Sequence, residues 1–283
     1  MSISVSNLAH YYGQGSLAVM ALHDITLKIE PGEFVGIIGQ SGSGKSTLVQ
    51  HFNRLLKPSS GTVFLDDCDI NAKKVKISLI RRRIGMVFQY PEQQLFEETV
   101  LADVAFGLRN KQYSSAEVQE RVNLALTQVG LSFDKVASKS PLHLSGGERR
   151  RVAIAGVLVM EPDYLILDEP TANLDPRGRE AVLALLQDLN KGGMTIILVS
   201  HSMEEVAKMV KRVFVMNRGN LVLAGSLNEV FAEKDELEAL GLGLPQIVDL
   251  MQTLKRKGKE VEPFIFTPAA AAQELLRRIK KNA

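Results

Sequence analysis

"FVGIIGQSGSGKSTLVQHFNRLL", residues 34–56, decides the architecture of this chain. Its opening run is apolar or glycine without alternation, the pattern of a strand buried on both faces. Its closing run carries Leu48, Val49, Phe52, Leu55 and Leu56 at helical spacing. Between them, Gly39, Gly42 and Gly44 let the backbone turn tightly enough for consecutive N–H groups to point at one anion. The helix that follows adds the positive end of its dipole. Residues Gly39, Gln40, Ser41, Gly42, Ser43, Gly44, Lys45, Ser46 and Thr47 therefore read as a phosphate grip. Lys45 is placed to reach the outer phosphates of a nucleotide, and Ser46 to ligate Mg²⁺.

Outward from this grip, three more short apolar runs look alike: "IGMVFQ" (84–89), "YLILD" (164–168) and "TIILVS" (195–200). With helical patterns between them they predict a mainly parallel sheet. The ends of the runs matter most. They finish at Gly39, Gln89, Asp168 with Glu169, and His201. Ligands of open parallel sheets bind beyond the carboxyl ends of the strands, so these residues are expected on one edge. Asp168 suits Mg²⁺, Glu169 suits polarising an attacking water, and Gln89 and His201 gain meaning from sharing that edge.

The remaining texture predicts an α/β fold with added parts. Residues 2–30 and 62–67 read as an antiparallel β layer, 91–160 as an inserted helical subdomain, and 213–225 as a hairpin around Asn217–Asn220. Helical patterns near 226–240, 245–257 and 268–281 form a C-terminal helical extension. Ser226 with Glu229 makes a capping box for the first, and Thr267–Pro268 starts the last. Ile247, Leu250, Met251 and Leu254 have the spacing of a packed stripe. The expected division is a nucleotide-binding domain over 1–225 and the extension over 226–283.

A second glycine pair, in "LSGGERRR" (144–151), raises a harder question. Ser145 and Glu148 form a capping box, which by itself makes this a well-started helix with Arg149–Arg151 as a solvated basic face. The N–H groups of Gly146 and Gly147 at a helix start also suit an anion. With no lysine, the segment could only assist a phosphate held elsewhere: a lid rather than a pocket.

Composition bounds the partners. Lys+Arg 34 against Asp+Glu 32 leaves a formal net charge of +2, so no nucleic acid is expected as a partner. One cysteine, Cys68, excludes an intrachain disulfide and suits a reducing compartment. No basic-then-apolar leader is visible and no apolar run reaches about 20 residues, so the expectation is a cytoplasmic chain whose membrane spans, if needed, belong to other subunits.

The ordered set "GQSGSGKST", Gln89, "LSGGE", "LILDEP", "NLD" (173–175) and His201 resembles the ATP-binding cassette (ABC) ATPases over about residues 1–225. The resemblance implies a P-loop NTPase core and ATP with Mg²⁺. It also implies a head-to-tail pair of subunits in which Ser145, Gly146 and Gly147 close over the nucleotide held by the other chain. Tyr12, or less favourably Tyr11, would stack on adenine, Asp175 would communicate across the dimer, and His201 would contact the γ-phosphate. The stretches 88–110, 144–179 and 240–258 are similar to the ATPases of energy-coupling factor (ECF) importers. Those work as equal or unequal ATPase pairs with a transmembrane coupling subunit and a substrate-binding membrane subunit for a vitamin or metal ion. They sit at the cytoplasmic face of the cell membrane. Glu148 and Asn173 depart from that pattern, which more often has glutamine and glycine there. Another ABC importer subfamily, or a soluble ABC ATPase acting outside transport, is the alternative. A GTPase is disfavoured because no Asn-Lys-x-Asp motif occurs.

Overall fold

In a computed structural model the chain is described over residues 2–13, 15–109 and 112–282; the ECF-like stretch 88–110 ends at Asn110, outside them. Strands β1 (Ile3–Tyr12) and β2 (Val19–Ile29) form an antiparallel pair, followed by β3 (Phe34–Ile38), α1 (Lys45–Phe52), β4 (Ser60–Leu65) and β5 (Cys68–Asp69). Helix α2 (Ile77–Arg83) leads into β6 (Ile84–Val87). A helical stretch follows, with α3 (Val100–Ala105), α4 (Ser115–Gln128), α5 (Phe133–Val136) and α6 (Gly146–Leu158). The chain returns through β7 (Tyr164–Asp168), α7 (Pro176–Lys191), β8 (Thr195–Val199), α8 (Met203–Met209), β9 (Arg212–Asn217) and β10 (Asn220–Ser226). It ends in α9 (Leu227–Ala232), α10 (Lys234–Ala239), α11 (Gln246–Arg256) and α12 (Pro268–Asn282).

The main sheet has the order β10-β9-β3-β8-β7-β6, parallel except for β10, and the second sheet has the order β2-β1-β4-β5. The four apolar runs are thus the four adjacent strands β3, β8, β7 and β6. Alternation along them sorts their side chains onto two cores. Tyr164, Ile166, Ile197 and Val199 face the antiparallel layer and α1, whereas Leu165, Leu167, Ile196 and Leu198 face the helices. Both faces are covered, so every residue of β3, β7 and β8 is buried. Each fully buried aliphatic side chain contributes about 1.5–3 kcal/mol relative to exposure.

The hairpin forms where its turn residues predict it. Arg218 and Gly219 both have positive φ, as a two-residue turn of this twist requires. The first C-terminal pattern splits at Glu233 into α9 and α10. Leu227, Phe231, Leu237 and Leu242 join the main core, while Met251, Val261 and Ala271 form a separate small cluster. Of the predicted stripe, Ile247, Met251 and Leu254 pack there, while Leu250 is exposed.

One expectation is overturned. Arg149–Arg151 do not form a solvated face: Arg150 is fully buried, and Arg151 donates to the carbonyls of Val129 and Gly130. Arg150 shares a stripe with Ile154 and Leu158 at four-residue spacing, and the buried apolar pair carries the arginine inward with it.

Candidate nucleotide site

At the carboxyl edge of the sheet the loop between β3 and α1 takes a shape only glycine permits. A Cβ at Gly39 would lie 2.2 Å from the Met216 carbonyl oxygen, and one at Gly44, where φ is +99°, would lie 2.9 Å from that of Ala21. The β9–β10 turn props the loop from outside, as Gly219 N–H donates to the Ser43 carbonyl over 2.9 Å and the Gly219 carbonyl accepts from His23 N–H over 2.8 Å.

Beside the loop lies a cavity of about 760 Å³. It brings together Ser41, Gly42, Gly44, Lys45, Ser46 and Thr47 with Gln89, Asp168, Glu169 and His201. Gly39, Gln40 and Ser43 are not part of this lining. The carbonyls of Gly39 and Gln40 accept from Lys45 Nζ at 2.8 and 2.9 Å, and Ser43 holds a buried hydroxyl with no partner. Tyr12 lines the cavity and Tyr11 does not, because successive residues of β1 point to opposite faces. Sequence reasoning did not single out His23 and Arg218, which also line it.

Electrostatics sets a cation and two carboxylates side by side in a partly buried site. Burial lowers the Lys45 ammonium below its ordinary value, against the pull of the Glu169 and Asp168 carboxylates. Burial likewise raises Asp168, opposed by the Ser46 hydroxyl that hydrogen-bonds to it, raised further by Glu169 and lowered by Lys45. An anionic polyphosphate would complement the Lys45 ammonium, and a hard cation the Asp168 carboxylate. Among the described residues no three His, Cys, Asp or Glu side chains converge as a metal cage. The oxygen donors Ser46 and Asp168 instead fit an ion like Mg²⁺, which keeps waters and takes its remaining oxygens from substrate phosphates.

Glu169 itself is strained. Its φ is +51°, uncommon for a residue with a side chain, and its N–H is tied to the Val199 carbonyl at 2.9 Å. The His201 Nδ1 lies 2.7 Å from Glu169 Oε1; a carboxylate only accepts, so Nδ1 carries the proton of that bond.

Behind Tyr12 lies a second polar cluster. The ring of Tyr12 meets His10 edge-on at 4.6 Å, and its hydroxyl lies 3.2 Å from Thr47 Oγ1. His51 Nδ1 donates to the Thr47 carbonyl over 2.7 Å, and His10 Nδ1 donates to the Lys57 carbonyl over 3.1 Å. That leaves the His51 Nε2 lone pair facing the same His10 N–H at 3.2 Å. A proton on Nε2 has no place to go. Burial, aided by His10, lowers the His51 pKa from 6.5 to about 4, against the carbonyl bonds that favour the charged ring. The unfolded chain therefore binds the proton first, and folding stability falls with pH between those two values. Acidification from about pH 7 to about pH 5 is expected to cost about 2 kcal/mol through this residue. Urea unfolding across that range checks it, and His51→Gln is expected to flatten the slope.

Ser145, Gly146, Gly147 and Asp175 stand elsewhere. They line a separate depression with Arg177 and Gly178 that shares no residue with the Lys45 cavity. The capping box forms as predicted, with Glu148 N–H donating to Ser145 Oγ at 3.3 Å and Ser145 N–H to Glu148 Oε2 at 2.9 Å. Glutamate thus does the capping that glutamine would do. Asn173 has φ +59°, a conformation glycine and asparagine tolerate best, so this departure too preserves the backbone.

A glycine loop with its lysine, an aspartate–glutamate pair and a capped diglycine helix, set on this mixed α/β scaffold, define a P-loop nucleoside triphosphatase. Residues 22–172 match the ABC transporter family. The chain is 52% identical to the "Energy-coupling factor transporter ATP-binding protein EcfA2" of Clostridium tetani, covering 100% of this chain and 99% of the relative. It is 51% identical to the protein of that name from Clostridium perfringens, covering 100% of each. Among solved structures, cbiO1 from Clostridium perfringens, part of the ABC transporter complex cbiONQ, aligns with TM-score 0.74 and 43% identity over 88% of this chain and 98% of that one. A dimeric ATP-binding cassette in a post-hydrolysis state with ADP and Pi aligns with TM-score 0.71 and 32% identity over 80% and 98%. The chain belongs to the ABC transporter ATPases and, within them, to the energy-coupling factor ATP-binding proteins.

Proposed function

We propose that two such subunits meet head to tail and sandwich two ATP molecules, each between the Lys45 cavity of one chain and the Ser145 depression of the other. One observation carries this reading: the two phosphate-binding features lie in separate depressions of one chain, so neither is complete alone. The dimeric cassette with ADP and Pi supports it by likeness.

In each composite site Tyr12 stacks on adenine. The amides of Gly39, Gln40, Ser41, Gly42, Ser43, Gly44, Lys45, Ser46 and Thr47 hold the phosphates, with Lys45 on the outer two. Ser46, Asp168 and Gln89 would hold Mg²⁺, which when bound neutralises charge on the β- and γ-phosphates. Glu169 takes a proton from the attacking water, and His201 orients Glu169 and contacts the γ-phosphate. Ser145, Gly146 and Gly147 close over that phosphate from the other chain, and Asp175 lies beside them to pass the state of one site to the next. ATP pulls the chains together; loss of the γ-phosphate lets them part.

The work is done on membrane partners. No helix among the described residues is long and apolar enough to cross a membrane. A cleft between the β6 end and α6, lined by Pro91, Leu95, Phe96, Phe106, Ala153 and Gly156, follows directly after Gln89 and suits short helices of a coupling subunit. On this reading the chain is peripheral at the cytoplasmic face. There it drives uptake of a vitamin or metal ion chosen by a separate membrane subunit, with residues 1–225 as the nucleotide-binding domain and 226–283 as the extension.

Ser145→Ala tests the division of labour. Phosphate release is expected to fall about tenfold or more, the cost of one lost donor to developing charge, while the isolated chain binds ATP as before. Fluorescent-nucleotide titration of the monomer reads this. Loss of binding there would assign Ser145 to its own chain's cavity and overturn the sandwich.

A further inference from the structure

The overturned arginine has an environment of its own. Immediately after Gln89, Tyr90 takes φ +55° and a single 3₁₀ turn spans Pro91–Gln94. From that turn Glu92 reaches the guanidinium of Arg150 on α6. Nη2 donates to Oε1 over 3.2 Å, and Nε lies 2.8 Å from Oε2, close as an ion pair though not aligned as a straight hydrogen bond. The other face of the same guanidinium holds the turn that follows Glu169. Nη1 donates to the Pro170 carbonyl over 2.9 Å and more weakly to that of Glu169 at 3.5 Å, and Nη2 donates to the Ala172 carbonyl over 3.0 Å. The Arg150 side chain is 1% exposed and that of Glu92 20%.

One buried cation therefore joins two loops, the one that follows Gln89 and the one that follows Glu169. Carbonyl dipoles alone would not keep a guanidinium out of water; the Glu92 carboxylate supplies the opposing charge. Glu169 sits in a backbone conformation that persists only where its surroundings hold it. The planar fork of arginine suits that task, since it presents fixed donors in two directions at once; a lysine in its place offers a point charge.

We propose that Arg150 and Glu92 are a positioning pair for hydrolysis: Arg150 holds the backbone after Glu169, and Glu92 holds Arg150 to the segment after Gln89, so Glu169 faces its water in register with Gln89 at the metal position. The pair acts through other residues and touches neither nucleotide nor water. This inference rests on the role given above to Glu169.

Glu92→Gln and Arg150→Lys, made in the full-length chain, test it with a readout that packing alone would not move. In both, kcat for ATP is expected to fall about ten- to a hundredfold, the usual consequence of a small misplacement of a reacting group. ATP affinity and KM stay within about twofold, because the phosphate grip is untouched. Glu92→Asp is expected to recover most of the loss. The double variant Glu92→Gln/Arg150→Lys is expected to be no slower than the slower single one, as for residues acting as one unit. Unchanged kcat in Glu92→Gln, or parallel losses of affinity and kcat, would overturn the pair. Glu169→Gln run alongside separates the two readings. Full turnover there would remove the premise, whereas a dead Glu169→Gln with a wild-type Glu92→Gln would remove only the pair.

Discussion

Glu169→Gln is expected to bind ATP normally and to lose turnover by about 10²–10⁴-fold, the contribution of a positioned general base. The amide keeps the shape of the carboxylate and can still accept the hydrogen bond from His201 Nδ1, now 2.7 Å from Oε1. The backbone at φ +51° is unaltered by the change, as is the tie to the Val199 carbonyl. Only the capacity to take the water's proton is gone. If, as proposed, ATP bridges the two chains and its γ-phosphate is no longer removed, the variant should accumulate as a dimer in ATP. Size-exclusion chromatography with ATP and steady-state phosphate release measure the two halves of the result. Undiminished turnover would sink the assignment of Glu169.

Lys45→Ala is expected to lose most nucleotide affinity rather than turnover alone. Lys45 Nζ now rests on the carbonyls of Gly39 and Gln40, and burial already disfavours its charge. A polyphosphate offers that ammonium stronger partners than two carbonyls do. Charge-assisted hydrogen bonds contribute about 1.5–3 kcal/mol, so the loss is about ten- to a hundredfold in Kd. The effect is expected toward the upper end, because the Lys45 charge that offsets Asp168 and Glu169 in the cavity is removed. Nucleotide titration of the isolated chain reads it directly. An unchanged Kd with lower kcat would move Lys45 from binding to chemistry alone.

Much of this was legible along the chain because the relevant physics is local. The strands β3, β6, β7 and β8 announced themselves as unalternating apolar runs, and a strand that ends in a polar residue beside a helix start carries its place at the sheet edge with it. Capping boxes at Ser145 and Ser226 formed as spelled, since each is closed within four residues. The hairpin at Arg218–Gly219 followed from its turn residues alone.

Arg150 marks where that reach ended. Three adjacent arginines look identical in sequence, and what separates them is the stripe shared with Ile154 and Leu158 together with a carboxylate 58 residues away. Nothing local encodes that Glu92 will be there. The two depressions pose the same problem. The chain spells both the lysine grip at 39–47 and the capped diglycine helix at 145–148, but only the tertiary packing places them in separate depressions. The sequence by itself determined the chemistry, strand by strand and cap by cap, because those interactions close over a few residues. The tertiary structure decided the distances between chemical groups, because burial and long-range pairing depend on which elements meet. That is why the middle arginine of "LSGGERRR" turns inward.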